Sequence, residues 1–346
     1  MALQDMLSNK ETASPIAFGS ASIVTVLSLL IFIGFHFVEF FLAGEGNNGP
    51  DGAEGNKLIF SVFFLLGTNA GLTATGYYVW KNAPTAFTTG ALAGSTTAYS
   101  IMSLVTSLYF ADFTWFNNEN DEDESRAALI FSFLCLFFSI IYGFVTAGLY
   151  ILPKVNGDEV ESSVDDEELA KGRAHGDVLT HMWNGIAVSS IAILAVIQLI
   201  AFVGMFGEEG ARQREDGSVF NFNAVVLVML GVSVANYMFG KRVFNGQATK
   251  MQIGTFTGAL AAMAVTEFLL FALCELDFSF EFGAGGGAEN DTAGSVVFGL
   301  VCLFHSAIHA FFSTIMYKYK EAILRASTSE DSSDSSFTLM ADKTAI

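Results

Sequence analysis

The chain repeats itself. Thr89-Gly90-Ala91-Leu92-Ala93 recurs as Thr257-Gly258-Ala259-Leu260-Ala261, and Cys135-Leu136-Phe137-Phe138-Ser139 recurs as Cys302-Leu303-Phe304-His305-Ser306. Gly67 and Gly76 are matched by Gly231 and Gly240, and Asp112-Phe113 by Asp277-Phe278. Partners stand 164 to 168 positions apart, so the order of elements is kept with very short insertions. Matches at a nearly fixed period indicate two copies of one structural unit. Whatever the first half folds into, the second half must fold into as well.

Each half holds four long apolar stretches, at about 18–43, 58–80, 86–111, 127–152, 181–206, 219–240, 251–274 and 294–317. About 20 residues at helical rise cross a hydrocarbon core of roughly 30 Å. The stretches are continuously apolar rather than alternating, which excludes a membrane β-barrel. Composition agrees, since 52% of the residues are hydrophobic and 35 are Phe, too many for a water-facing surface on 346 residues. The expected fold is therefore all-α. It is a polytopic membrane protein of eight transmembrane helices, built as two tandem four-helix repeats. The even number of crossings per repeat places the two in parallel orientation. Its expected parts are a cytosolic N-terminal segment (1–17), the first membrane repeat (18–152) and an acidic cytosolic linker (153–180). The second repeat (181–318) and a disordered, acidic, Ser-rich cytosolic tail (319–346) follow.

Charge sets the expected orientation. Of 16 Lys and Arg, only Lys57, Arg126, Arg212 and Arg214 lie on the side of loops one, three, five and seven. The rest flank the termini and the even loops, so the positive-inside bias puts both termini in the cytosol. Asn290-Asp291-Thr292 is a glycosylation sequon in loop seven, on the outer side by this count. The segment before the first stretch carries Asp5 and Glu11 rather than a basic run, so an uncleaved anchor is expected in place of a signal peptide. Cys135, Cys274 and Cys302 all fall within or at the edge of helices, which offers no disulfide framework. The formal net charge of −19 resides in loops and tail and argues against nucleic acid as a partner. Asp121 to Glu124 in loop three and the Glu275/Asp277 pair supply hard oxygens without the spacing of a calcium loop.

Two kinds of site follow from residue type and spacing. Gly67/Gly71, Gly90/Gly94 and Gly254/Gly258 are each four apart, and small residues at that spacing let helix backbones approach in lipid. The match between Gly90 and Gly258 makes them the expected seam of each repeat, packing against neighbours within its own bundle. Thr96, Ser100, Ser103 and Ser107 line one face of the third helix, either as a hydrophilic path or as hydroxyls bonded across a helix pair. Ionisable residues inside spans are ligand or proton candidates by their cost alone: His36 and Glu39 in the first helix, Glu267 in the seventh, His305 and His309 in the eighth. His305 and His309 share a helix face, yet they align with Phe138 and Tyr142 of the first repeat, so a metal or haem site is not expected. Glu267 lies roughly two-thirds of the way across, where its side chain is expected to snorkel toward the outer headgroups. No catalytic residues and no cofactor emerge. There is no His-Glu-x-x-His, no Gly-x-Ser-x-Gly, no phosphate loop and no dinucleotide fingerprint.

Four helices per unit, cytosolic termini, a short inner loop and longer outer loops resemble the tetraspan families, most of all the MARVEL-type proteins of the synaptophysin and synaptogyrin sort. The cysteine and tryptophan signature of claudins and the Cys-Cys-Gly of tetraspanins are absent. The resemblance is architectural, and it implies a non-enzymatic protein that organises membrane domains, vesicles or membrane apposition. Its partners would be the lipid bilayer and either further copies of itself or other membrane proteins, at the plasma membrane or in endomembrane vesicles. The competing class is a small-solute or ion transporter or channel, with a path between the two repeats.

Overall fold

The structure is a computed structural model that describes residues 10–42, 52–82, 85–111, 122–151, 166–204, 218–244, 249–283, 298–318 and 320. Side chains are described over 15–35, 58–81, 85–111, 127–150, 180–200, 202–203, 224–244, 249–273, 298–318 and 320. Eight helices occupy the described residues: α1 Lys10–Leu42, α2 Gly52–Asn82, α3 Ala86–Ala111 and α4 Glu122–Ile151 in the first half. The second half has α5 Asp166–Gly204, α6 Ser218–Phe244, α7 Lys250–Gly283 and α8 Phe298–Lys318.

Seven of these helices are long and apolar enough to cross a membrane. The exception is α3, which has the expected bounds but carries Gly, Ser and Thr where the others carry Phe, Leu and Ile. Its place in the fold explains its composition. It packs most extensively on α7 and α4, with further contacts to α2 and α6, and it buries Gly90, Gly94, Thr96, Ser103 and Ser107 along with its apolar residues. A helix walled in by other helices has little lipid to face, so apolarity gives way to close fit.

Both central helices start in the same way. At α3, the Thr88 amide donates to Thr85 Oγ1 (3.1 Å) and the Thr85 amide to Thr88 Oγ1 (2.9 Å). At α7, the Gln252 amide donates to Thr249 Oγ1 (3.3 Å) and the Thr249 amide to Gln252 Oε1 (3.0 Å). Each is a reciprocal capping box that satisfies amides a helix start leaves unpaired. Thr85 and Thr249 are 164 positions apart.

The same interval governs the contact between the two helices. A Cβ on Gly90 would collide with the Met251 carbonyl, and one on Gly254 with the Phe87 carbonyl. A turn further along, Gly94 meets Thr255 and Gly258 meets Ala91. Gly90 thus corresponds to Gly254, and Gly94 to Gly258, each pair 164 positions apart. The seam differs from expectation in two ways. These glycines join the halves to each other rather than sealing each bundle. The corresponding positions also lie one helical turn away from the Gly90/Gly258 match that the repeated Thr-Gly-Ala-Leu-Ala suggests.

Around this axis the apolar residues form three clusters. One fills α1 to α4, with Leu29, Leu65, Phe131 and Phe138 fully buried, and takes in Leu269 and Leu273 of α7. The second joins Trp183, Phe244, Phe256 and Phe312 to Phe87 of α3. The third gathers Leu194, Val226, Met229, Leu270 and Cys302 around Val105 of α3. Each half also sets an aromatic of its first helix over a glycine of its second, Phe18 over Gly76 and Trp183 over Gly240. Outward faces carry Phe35, Phe144, Leu199, Met238 and Phe304, all exposed, as a lipid-facing perimeter requires.

Other expectations shift. Gly67 and Gly71 have nothing within 4 Å of a would-be Cβ, so their face of α2 is open and takes no part in packing within the chain. Glu122, Asp123 and Glu124 belong to the first turn of α4 rather than to a loop. Helix α7 runs past its expected end at 274 to Gly283 and so takes in Glu275 and Asp277. Asp121, the sequon at Asn290 and the tail from 321 lie outside the described residues.

Candidate functional site: a buried carboxylate and two imidazoles

Helix α8 rests on α7 through polar contacts. Ser306 donates to the Ala264 carbonyl (2.7 Å) and Ser313 to the Thr257 carbonyl (3.0 Å). His309 stands between these two serines on α8, and Glu267, three residues beyond Ala264 on α7, meets it: Glu267 Oε2 and His309 Nδ1 share a hydrogen at 2.7 Å. Glu267 is wholly buried and His309 nearly so. The carboxylate therefore turns inward to an imidazole and does not snorkel to the headgroups. Its depth along the helix is read from the sequence, and the outward direction expected from that depth gives way to the α8 side chain that meets it.

His305 stands one turn before His309 on α8, with ring centroids 6.3 Å apart, and is also buried. The Trp183 ring of α5 approaches His309 from another side at 6.5 Å. Three polar atoms of this neighbourhood are buried without a hydrogen-bond partner: Glu267 Oε1, His305 Nε2 and Trp183 Nε1. Buried polar atoms are paired in the great majority of cases, so three orphans around one hydrogen-bonded pair set this place apart. Among the described residues no group of three His, Cys, Asp or Glu side chains is placed to hold a metal ion. The side chains of His36 and Glu39 lie outside the described residues, so their relation to this cluster is not drawn.

The first half has a polar knot of different chemistry. Tyr142 of α4 accepts a hydrogen bond from Asn69 Nδ2 of α2, lies 3.4 Å from Ser22 Oγ of α1, and stacks edge-on against Tyr99 of α3 at 4.7 Å. The Tyr99 hydroxyl donates to the Leu65 carbonyl (3.3 Å). Residue by residue this knot was not foreseen. The one available signal was the alignment of Tyr142 with His309, which pairs a neutral hydroxyl in one half with a titratable ring in the other.

The hydroxyl face of α3 is used up in packing. Ser100 donates to the Ser139 carbonyl (2.6 Å), Thr96 meets Thr146 Oγ1 (2.9 Å), and Ser132 donates to the Ser107 carbonyl (2.9 Å), all between α3 and α4. Ser103 is the exception: it is buried, and its hydroxyl has no partner. Comparisons with protein-family models, with curated proteins and with solved structures find no match.

Proposed function

We propose that the chain is a non-enzymatic multi-pass membrane protein that organises membrane domains, vesicles or membrane apposition. In this reading it is built as two tandem four-helix repeats with eight crossings and both termini cytosolic, in the manner of MARVEL-type proteins. The observation that carries the proposal is the fate of the α3 hydroxyls. The hydroxyls of Thr96, Ser100 and Ser107 bond to α4, Ser103 is buried, and a neighbouring face of α3 is shut against α7 at Gly90 and Gly94. A molecule whose centre is packed in this way acts through its perimeter, its loops and its tail. The duplication is supported by capping boxes, seam glycines and aromatic-over-glycine contacts that all recur at 164 or 165 positions. An eighth crossing by α3 is supported by its 26 residues, about 39 Å at helical rise against a core of roughly 30 Å.

The test is removal of Ser327 to Ile346, and separately neutralisation of Asp121 to Glu124, followed by imaging and proximity labelling in cells. Altered localisation or altered neighbours is the expected result. Unchanged localisation and neighbours in both variants would defeat the organising role. One observation favours a second reading, a proton-coupled carrier: the buried Glu267 carboxylate with its imidazole partner. Purified protein in liposomes separates the two. Solute or proton flux that Glu267→Gln abolishes, with localisation intact, would establish the carrier.

A further inference from the structure

We propose that the end of the bundle where α3 and α7 begin is a docking surface for a polyanionic phospholipid headgroup of the phosphorylated-inositol class, held by Lys241, Arg242, Lys250 and Lys320. The surface does not depend on the membrane-organising role.

Four helix ends meet there. Phe87 at the start of α3, Phe244 at the end of α6, Ile253 near the start of α7 and Met316 near the end of α8 belong to one apolar cluster. Cations stand at its rim. Lys241 and Arg242 come just before Phe244, Lys250 opens α7, and Lys320 lies just past the end of α8. Lys241, Arg242 and Lys250 are exposed, and Lys320 is half-buried. The Lys320 Nζ stands 4.9 Å from the centre of the Phe87 ring and 4.6 Å from that of Tyr317. This holds the charge beyond α8 over the start of α3.

The backbone adds charge of the same sign. Moving along α3 from Gly90 to Gly94 shifts its contact on α7 from Met251 to Thr255, so the two helices run parallel. Their N-termini open side by side at this end, each worth roughly half a unit of positive charge and each favouring phosphate. On a chain with a formal net charge of −19, this is a local excess of the opposite sign. Among the described side chains the one acid is Glu267, 17 residues beyond Lys250 and so about 25 Å along α7.

The level of the surface points to lipid. The cations sit at the ends of α6, α7 and α8, which are long and apolar enough to cross a membrane, and exposed Tyr317 stands beside them as interfacial aromatics do. Lipid phosphates already lie at that depth, so their capture orders no polypeptide, whereas docking of the chain's own acidic tail would carry that entropy cost. Four side-chain cations and two helix starts match several phosphates better than a single charge, and basic surfaces between membrane helices take such headgroups.

The experiment places the full chain in lipid nanodiscs, which expose both leaflets, and reads retained lipid by native mass spectrometry. The probes are phosphatidylinositol bisphosphate, phosphatidylserine and phosphatidylcholine. Preferential retention of the bisphosphate is expected. The combined variant Lys241→Gln, Arg242→Gln, Lys250→Gln and Lys320→Gln should lower it at least about tenfold, and removal of Ser327 to Ile346 should leave it unchanged. Equal retention of phosphatidylserine or phosphatidylcholine, or a combined variant that retains as much bisphosphate as the unaltered chain, would overturn the proposal. Bisphosphate retained only after the tail is removed would make the tail the occupant and overturn it equally. If the combined variant fails to fold, Lys250→Gln and Lys320→Gln decide singly: each should weaken retention severalfold, and no loss in either refutes the surface.

Discussion

The carbonyl oxygen of Met251 in α7 occupies the space that a Cβ on Gly90 in α3 would need. Backbone meets backbone there, with no flexible side chain to yield. We expect Gly90→Leu and Gly258→Leu each to destabilise the protein by about 1–3 kcal/mol or more, as overpacking of a tight interface does. Unfolding of the purified protein in detergent checks this. Melting profiles unchanged by both substitutions would place those faces toward lipid.

Gly67 and Gly71 should behave in the opposite way. Their would-be Cβ positions meet nothing within 4 Å, so alanine adds helix propensity at no steric cost. Gly67→Ala and Gly71→Ala should be neutral or stabilise by up to about 1 kcal/mol. Gly240→Ala is the informative contrast. Its Cβ would strike the Trp183 indole and the Phe256 ring, and it should cost stability in the same assay.

Tyr142 ties three helices of the first half together through one hydroxyl. Tyr142→Phe keeps the ring against Tyr99 but leaves the Asn69 amide without its acceptor. The expected loss is about 1–3 kcal/mol, the cost of a buried polar group left unpaired. Adding Asn69→Leu should recover part of it, because the stranded donor is then gone as well. Additive losses would mean that the two side chains act independently.

Topology is open to a direct test. The proposed topology has both termini cytosolic and loop seven outside, so protease added to sealed inside-out vesicles should digest the tail from Ser327 and spare the segment around Asn290. A tail protected together with Asn290 would reverse the assignment.

Much of the architecture is legible in the sequence, because long apolar stretches separated by turn-forming residues leave few alternatives to a helical membrane protein. The bounds of α3 were read directly, yet its failure to match the apolarity of the other helices was not anticipated. Apolarity follows from which neighbour a helix has, and a single chain does not announce its neighbours. The glycines were recognised as contact residues, but their partners were misassigned. The repeated Thr-Gly-Ala-Leu-Ala aligns Gly90 with Gly258, whereas contact geometry pairs Gly90 with Gly254. A four-residue shift leaves a helix face almost unchanged, so the pattern fits both registers equally well. Glu267, His305 and His309 were picked out by their cost in a membrane, but that the carboxylate meets His309 depends on how α8 lies across α7. The Tyr142 knot escaped because Tyr, Asn and Ser are ordinary residues inside a helix bundle until they are seen to converge.

The dependence of α3 on α7 has a consequence for how the chain is made. Helix α3 leaves the ribosome early, and it is the helix least able to hold itself in a bilayer by its own apolarity. The surface that completes it begins at Met251, and at about 5–20 residues per second that surface arrives roughly 10–30 s later. During that interval the glycine face of α3 must be sheltered by α2 and α4, by lipid, or by an insertion factor of the cell. The order of synthesis thus leaves α3 without its largest partner surface until the second half of the chain has been made.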